Sequence, residues 1–311
     1  MSRKILLLNL LIFLTFPFCF GWGFFAHKRI NHLAVFALPP ELIGFYKNNI
    51  SSISELAVNP DKRRYIDINE APRHYIDLDA YHKPYDQLPK YWHEAVEEFT
   101  EDSLHAKGIV PWHIQLMKER LTYVFKEKNY KKIIQYSADL GHYIADAHVP
   151  LHTTRNYNGQ LTNQHGIHGF WESRLPELFS AQYDCFIGKA EYIEDTQKAA
   201  WDAVITSHLA VDSVLSMEKF LSQKFSPEEK YSFEEKGSTT IKVYSKAYSE
   251  AYHNLLDGMV EKRMRAAIKM IADFWYTSWV DAGQPILTIN DISEFLQEET
   301  HDNSLHYECQ H

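Results

Sequence analysis

Apolar residues recur at three- and four-residue intervals over positions 24–38, 111–127, 130–148, 190–222 and 244–281. That spacing gathers side chains on one face of an α-helix. No run shows sustained period-two alternation bounded by hairpin turns, so the pattern predicts an all-α chain. Polar segments at 49–90, 153–167 and 223–240 read as loops, none long or simple enough to be a domain linker. The expected architecture is one multi-helix domain over 22–282 with an acidic tail at 283–311.

The first residues, MSRKILLLNLLIFLTFPFCFG, place Arg3 and Lys4 ahead of an apolar run from Ile5 to Phe16 and a helix-breaking Pro17. This is a secretory signal pattern, with Cys19 and Gly21 as the small residues at −3 and −1 of a cut before Trp22. The run is shorter than the roughly 20 residues that span a bilayer. The mature chain is therefore expected to begin at Trp22, to be secreted or periplasmic, and to lack a stable membrane anchor; a monomer is expected.

Cleavage leaves 30 basic against 41 acidic side chains, a formal charge of −11. Such a chain repels nucleic acid and anionic lipid at long range, so action on a phosphate requires positive charge supplied locally, as a metal would. After cleavage, Cys185 and Cys309 remain, compatible with one disulfide but too few for a disulfide framework or a thiolate zinc site. The 19 Tyr, 18 Phe and 7 Trp suit a helical core, with a minority available to line a pocket.

The candidate chemistry lies in the histidines. The segment GHYIADAHVPLHTTRNYNGQLTNQHGIHGFWES spans 141–173. His142 and Asp146 are four apart and share a helix face. Pro150 ends that helix and lets the chain return His152 toward it, and a second four-residue pair, His168 and Glu172, follows with Trp171 beside the acid. Imidazole nitrogen and carboxylate oxygen are natural ligands of a cation such as zinc. Two pairs plus a turn histidine exceed what one tetrahedral ion needs, so more than one metal is expected.

Upstream, NPDKRRYIDINEAPRHYIDLD at 59–79 offers Asp61 and His74, with Asp67, Glu70, Asp77 and Asp79 close by. In GWGFFAHKRIN, His27 follows Trp22 by five residues, so a cut before Trp22 frees an α-amine that can act as a ligand. Each feature alone has an ordinary reading: a charged loop near proline is usually solvated surface, and a lone His/Asp pair usually a surface or capping pair. His148 reads as a core histidine bonded to backbone. His32, His82, His93, His105, His113 and His165 read as exposed or structural. Their joint order, His27, Asp61/His74, His142/Asp146/His152 and His168/Glu172, is hard to obtain by accident.

In these motifs the chain resembles the zinc-dependent phospholipase C and single-strand nuclease superfamily, strongly from Trp22 to Glu172 and weakly beyond. The resemblance implies a helical secreted enzyme with three zinc ions in a cleft. A first zinc would be held by Asp61, His74, His142 and Asp146. A second would be held by His152, His168 and Glu172. A third would take the amine and carbonyl of Trp22 with His27, bridged to the first by Asp146, the side chain on which hydrolysis by activated water would most depend. Tyr75 and Asp77 match positions beside the nucleotide pocket of the nuclease branch.

The Trp22 to His27 spacing, DAHVPLH and HGFWE favour a nuclease cutting single-stranded DNA or RNA. Glu172, where that branch has Asp, favours a phospholipase C that releases phosphorylated headgroups. The Asp61 to His74 spacing is shorter than in either branch. A secreted zinc-binding protein without hydrolase activity is the remaining class.

Overall fold

Helices form over the stretches where apolar residues recur at helical spacing. The computed structural model describes residues 23–237 and 239–287. The expected signal segment 1–21, Trp22, Cys309 and most of the expected tail lie outside the described residues. Within them the order runs α1 (Phe24–Ala34), α2 (Pro40–Asn48), α3 (Ile50–Leu56), α4 (Asn59–Arg63), α5 (Trp92–Phe99), α6 (Glu101–Lys107), α7 (Val110–Lys126) and α8 (Tyr130–Ala147). It continues through α9 (Ile167–Gly169), α10 (Leu175–Phe179), α11 (Thr196–His208), α12 (Val211–Ser222) and α13 (Pro227–Lys230). A hairpin of β1 (Tyr231–Lys236) and β2 (Thr239–Tyr244) follows, then α14 (Lys246–Leu255) and α15 (Met259–Asp281).

Two expectations change. Segment 49–90 is not simply loop: α3 and α4 lie in it, followed by short 3-10 turns. Helices this short carry too few turns to show a period and depend on tertiary contacts. In α3, Ile53 is buried and Ser54 Oγ donates to the Ile50 carbonyl at 2.7 Å. Segment 223–240 is likewise not all loop, while at 67% helix and 4% strand the chain keeps the all-α class expected.

The strand is the antiparallel hairpin, in register from Tyr231 opposite Tyr244 to Lys236 opposite Thr239. Its turn contains Gly237 at φ +62°, the left-handed backbone such turns require. Glu234 and Glu235 interrupt the alternation of β1, which hides the strand in the sequence. Arg174 ties the hairpin down, donating to Glu234 Oε2 at 2.9 Å and to the Tyr244 carbonyl at 3.2 Å.

One apolar cluster joins the helices. At its centre α8 packs against α1, α3, α7 and α15. Trp275 of α15 stacks on Tyr46 at 5.0 Å, and its indole N–H donates to the Ser137 carbonyl of α8 at 3.0 Å. The Tyr46 hydroxyl meets Ser137 Oγ at 2.9 Å, so the polar atoms of these large rings are paired inside the core. Beyond α15, the Trp279 indole holds the Pro285 carbonyl at 3.0 Å. Among the described residues no helix is long and apolar enough to cross a membrane.

The crossing of α1 and α8 leaves no room at Gly141. A Cβ there would collide with Asn31 Oδ1, and Asn31 is itself fully buried, with its amide donating to the His27 carbonyl at 3.2 Å. Gly to Ala in an unobstructed helix usually stabilises by roughly 0.5–1 kcal/mol. Gly141→Ala is expected to do the opposite, destabilising by about 1–3 kcal/mol through overpacking, measured by chemical denaturation. A gain in stability would show that the two helices do not meet as described.

Candidate metal centre

The end of α8 supplies the fixed pair. His142 and Asp146 are both fully buried, and the His142 Nε2 to Asp146 Oδ2 distance is 3.2 Å. His142 Nδ1–H donates to the Ala57 carbonyl at 2.8 Å, which fixes a proton on Nδ1 and turns Nε2 toward Asp146. The helix stops before Pro150, and its last carbonyls find partners: Ser207 Oγ donates to Ala147 and Arg263 Nε to His148, the latter at 2.9 Å.

The 3-10 turn Pro150–Thr153 carries His152 back to the segment after His74. His152 Nδ1–H donates to the His74 carbonyl at 2.6 Å, and the Ile76 N–H donates to the His152 carbonyl at 2.9 Å. This reciprocal clasp joins the two histidine-bearing stretches and leaves His152 Nε2 3.4 Å from Glu172 Oε2. His168 Nε2 lies 2.8 Å from the same oxygen.

His74 Nδ1 lies 2.8 Å from Asp146 Oδ2 and 3.0 Å from His142 Nε2. His27 of α1 stacks on His142 at 3.8 Å and places Nε2 3.4 Å from Asp146 Oδ1. Asp61 of α4 lies 3.9 Å from both His74 Nδ1 and His142 Nε2. Three groups with convergent ligand atoms result: His27, Asp61 and His142; His74, His142 and Asp146; and His152, His168 and Glu172. Every expected ligand in the described residues thus sits in one of two adjoining clusters. Trp22 lies outside those residues.

The donor set fits divalent cations. Both Asp61 oxygens, both Glu172 oxygens, Asp146 Oδ1, His152 Nε2 and both ring nitrogens of His27 and His168 are buried without hydrogen-bond partners. Leaving so many buried acceptors unmatched is costly, and a cation satisfies several at once. Ligands about 2.1 Å from a tetrahedral zinc lie about 3.4 Å apart, the range of separations seen here. Nitrogen and oxygen ligands without thiolate suit zinc, while the one cysteine in the described residues, Cys185, is a free thiol outside these groups.

Protonation follows the same crowding. Burial, then the charge of stacked His142, lowers His27 to about 4. At His142 burial opposes the charged form, but Asp146 and Asp61 outweigh it and raise the ring to about 9. Burial also opposes the Asp146 carboxylate, yet His142 and His152 hold it well below the usual range. Glu172 is pushed up to about 8 by burial, only partly offset by His152. A metal entering these groups therefore displaces protons.

Sequence reasoning left Glu70 without a role. It is fully buried, with Oε1 3.5 Å from His74 Nε2, the face of the ring away from Asp146. Arg63 and Arg73 reach its Oε2 at 3.3 and 2.6 Å, and the Tyr143 hydroxyl donates to Oε1. Arg63 also bonds Asp139 at 3.2 Å and the Tyr143 hydroxyl at 3.1 Å. The four-residue spacing of Glu70 and His74 was the available signal, the same one that marks the other two pairs. His148 is the core histidine expected, with Nδ1–H donating to the Ile144 carbonyl at 2.8 Å.

A cavity of about 270 Å³ opens beside the clusters, lined by His74, His152, His168, Tyr75, Asp77 and Arg64 among others. Tyr75 and Asp77 thus face the same space as three of the histidines. Gly108, at φ +86°, lets the next segment approach the Tyr75 carbonyl, where any Cβ would collide. No protein-family model matches the chain, and a search of curated proteins returns no match.

Two substitutions probe the centre through metal content, measured by elemental analysis and chelator competition. His168→Ala is expected to lower the metal bound while sparing the share held around His142. Glu70→Gln, a change at a residue that belongs to no ligand set but contacts the ligand His74, is expected to weaken metal retention by about 10–100-fold by loosening that ring. Unchanged metal content in both variants would remove the case for a metal centre.

Proposed function

We propose that the chain is a secreted zinc-dependent phosphodiesterase of the phospholipase C and single-strand nuclease superfamily, on the nuclease branch, cutting single-stranded DNA or RNA. The observation that carries this reading is the convergence of His27, Asp61, His74, His142 and Asp146 beside His152, His168 and Glu172 in buried groups capable of holding metal. Asp61, His74, His142 and Asp146 would hold one zinc and His152, His168 and Glu172 a second. His27 and Asp146, with the amine and carbonyl of Trp22, would hold a third.

Zinc held there supplies Lewis acidity, bringing the pKa of a bound water from about 16 toward about 7 and offsetting phosphate charge. The chain's own residues do the rest. Ala57 and His74 carbonyls fix the tautomers of His142 and His152, so their ligand nitrogens need no reorientation. Burial of the carboxylates keeps bulk water from competing for them. Tyr75 offers a ring face for an unpaired base, worth roughly 1–3 kcal/mol per base stacked.

Asp77 adds a hydrogen-bonding group whose state depends on pH. Burial first, then the charge of Asp79, raises its carboxyl to about 7, with Arg155 opposing. The protonated acid can donate to a base acceptor; the carboxylate cannot.

A phospholipase C is the second reading. Glu172 favours it, and so do Tyr65, Ile66 and Ile68, which are 66%, 76% and 89% exposed in the stretch after Arg64 at the cavity. Apolar side chains left in water beside a cleft suit a lipid surface.

The deciding experiment compares nucleotide release from single-stranded DNA and RNA with headgroup release from phosphatidylcholine, using metal-loaded chain beginning at Trp22. Chelator-sensitive nucleotide release with little lipid turnover is expected, and Asp146→Ala should reduce it by at least about a hundredfold, more than an outer-shell change would. The reverse preference would move the chain to the phospholipase branch. Metal-dependent stability with neither activity would make it a zinc-binding protein without hydrolase function.

The pH dependence supplies a separate check. Because the folded pKa of Asp77 is raised, its contribution to stability is greatest below about pH 4 and is lost as pH rises toward 7. Substrate binding should weaken over the upper part of that rise. KM for a single-stranded substrate is expected to climb above pH 7 in the native chain and to stay flat in Asp77→Asn; parallel profiles would exclude Asp77 from the pocket.

A further inference from the structure

A second cavity, about 570 Å³, lies on the other side of the turn that bears His74. Tyr91, Trp92 and Trp112 supply its aromatic wall, and Arg73 and Arg120 its positive charge. Trp112 packs edge-on against Trp92 at 5.8 Å and against Trp201 at 5.0 Å, so the wall is braced from behind. Trp112 and His113 are only 5% and 4% exposed, and Trp112 Nε1 and His113 Nε2 have no hydrogen-bond partner. An indole N–H can only donate.

The charges in the cavity say which kind of ligand fits. Arg120 forms no ion pair with a carboxylate among the described residues; its guanidinium lies 3.8 Å from the Met117 sulfur. His113 is held neutral by burial and then by the nearby Arg73 guanidinium, with Arg120 adding to the same effect. Two carboxylates also line the cavity: Glu119 accepts from the Gln115 amide at 3.2 Å, and Glu101, 64% exposed, lies 3.8 Å from His105 Nε2. Aromatic walls favour a flat body, and guanidinium groups favour a carboxylate or phosphate.

The geometry points to a binding site in this cavity for a small planar anion, an aromatic ring carrying a carboxylate or a phosphate, separate from the metal centre. The two sites share a wall. Arg73 lines this cavity and donates to Glu70, whose other oxygen faces His74 in the metal cluster. A ligand drawing on Arg73 is therefore one residue removed from a metal ligand's support.

Calorimetric titration of the metal-loaded chain tests this with four probes: adenosine monophosphate and benzoate as planar anions of two sources, adenosine as the ring without the anion, and inorganic phosphate as the anion without the ring. Saturable binding of either planar anion is expected, with the corresponding component weakened by about tenfold or more in Arg120→Gln and also weakened in Trp112→Phe, which narrows the aromatic wall but keeps a ring. Adenosine monophosphate alone binding would assign the phosphate source, and benzoate alone the carboxylate source.

Arg120 is exposed, so its variant should fold even if Trp112→Phe does not. Binding insensitive to Arg120→Gln, or no binding by either planar anion, overturns the proposal. Adenosine or phosphate binding as tightly as the combined probe does the same. Heat rather than turnover is the readout, so failure of the phosphodiesterase reading leaves this test standing. Loss of phosphodiester hydrolysis in Arg120→Gln would merge the two sites and refute their separation.

Discussion

A single buried carboxylate organises this molecule. Asp146 is fully inaccessible, and His27, His74, His142 and His152 converge on it from four separate stretches of chain, at 3.4, 2.8, 3.2 and 3.9 Å. Taking a carboxylate out of water costs several kcal/mol unless cations and hydrogen bonds compensate. The fold meets that demand by bringing α1, the turn at 71–74, α8 and the turn at 150–153 to one point. Each approach is then fixed by something outside the cluster: Gly141 admits Asn31 and hence α1, and the clasp between His74 and His152 joins the two turns. Arg63, Arg73 and Tyr143 hold Glu70 behind His74.

Much of this was legible in the sequence. The helical stretches at 111–127 and 130–148 correspond closely to α7 and α8, because long amphipathic runs specify both their period and their buried face. The pairs His142/Asp146 and His168/Glu172 could be placed on one face each from spacing alone. What spacing could not supply was how the pairs sit relative to one another. Asp61, His74 and His27 reach the cluster through tertiary contacts, and only the family resemblance brought them into one set.

The losses have physical causes too. The helices α3 and α4 are too short to display a period, and Asp61 sits on the second of them. The hairpin was hidden by the glutamates in β1 and by exposure, since a strand with little buried face carries little alternation. Glu70 looked like one more acid in a charged loop. Its burial depends on Arg63 and Arg73, which in sequence suggest a solvated surface as readily as a buried ion network.

The hairpin explains how the second cluster is held. His168 precedes, and Glu172 lies within, a π-turn, Phe170–Arg174, an irregularity that often accompanies functional sites. The wider turn allows neighbouring residues to serve different surroundings. Phe170 stacks on Tyr244 at 3.8 Å and on Tyr252 at 5.0 Å, while Arg174 grips Glu234, so this short segment is fastened to β1, β2 and α14. Glu172, between them, turns Oε2 to both His152 and His168. The first cluster thus draws its rigidity from a long helix buried in the core, and the second from an aromatic stack against a surface hairpin. Loosening the hairpin should therefore disturb Glu172 and His168 before it reaches Asp146, because the rings stacked on Phe170 belong to β2 and α14.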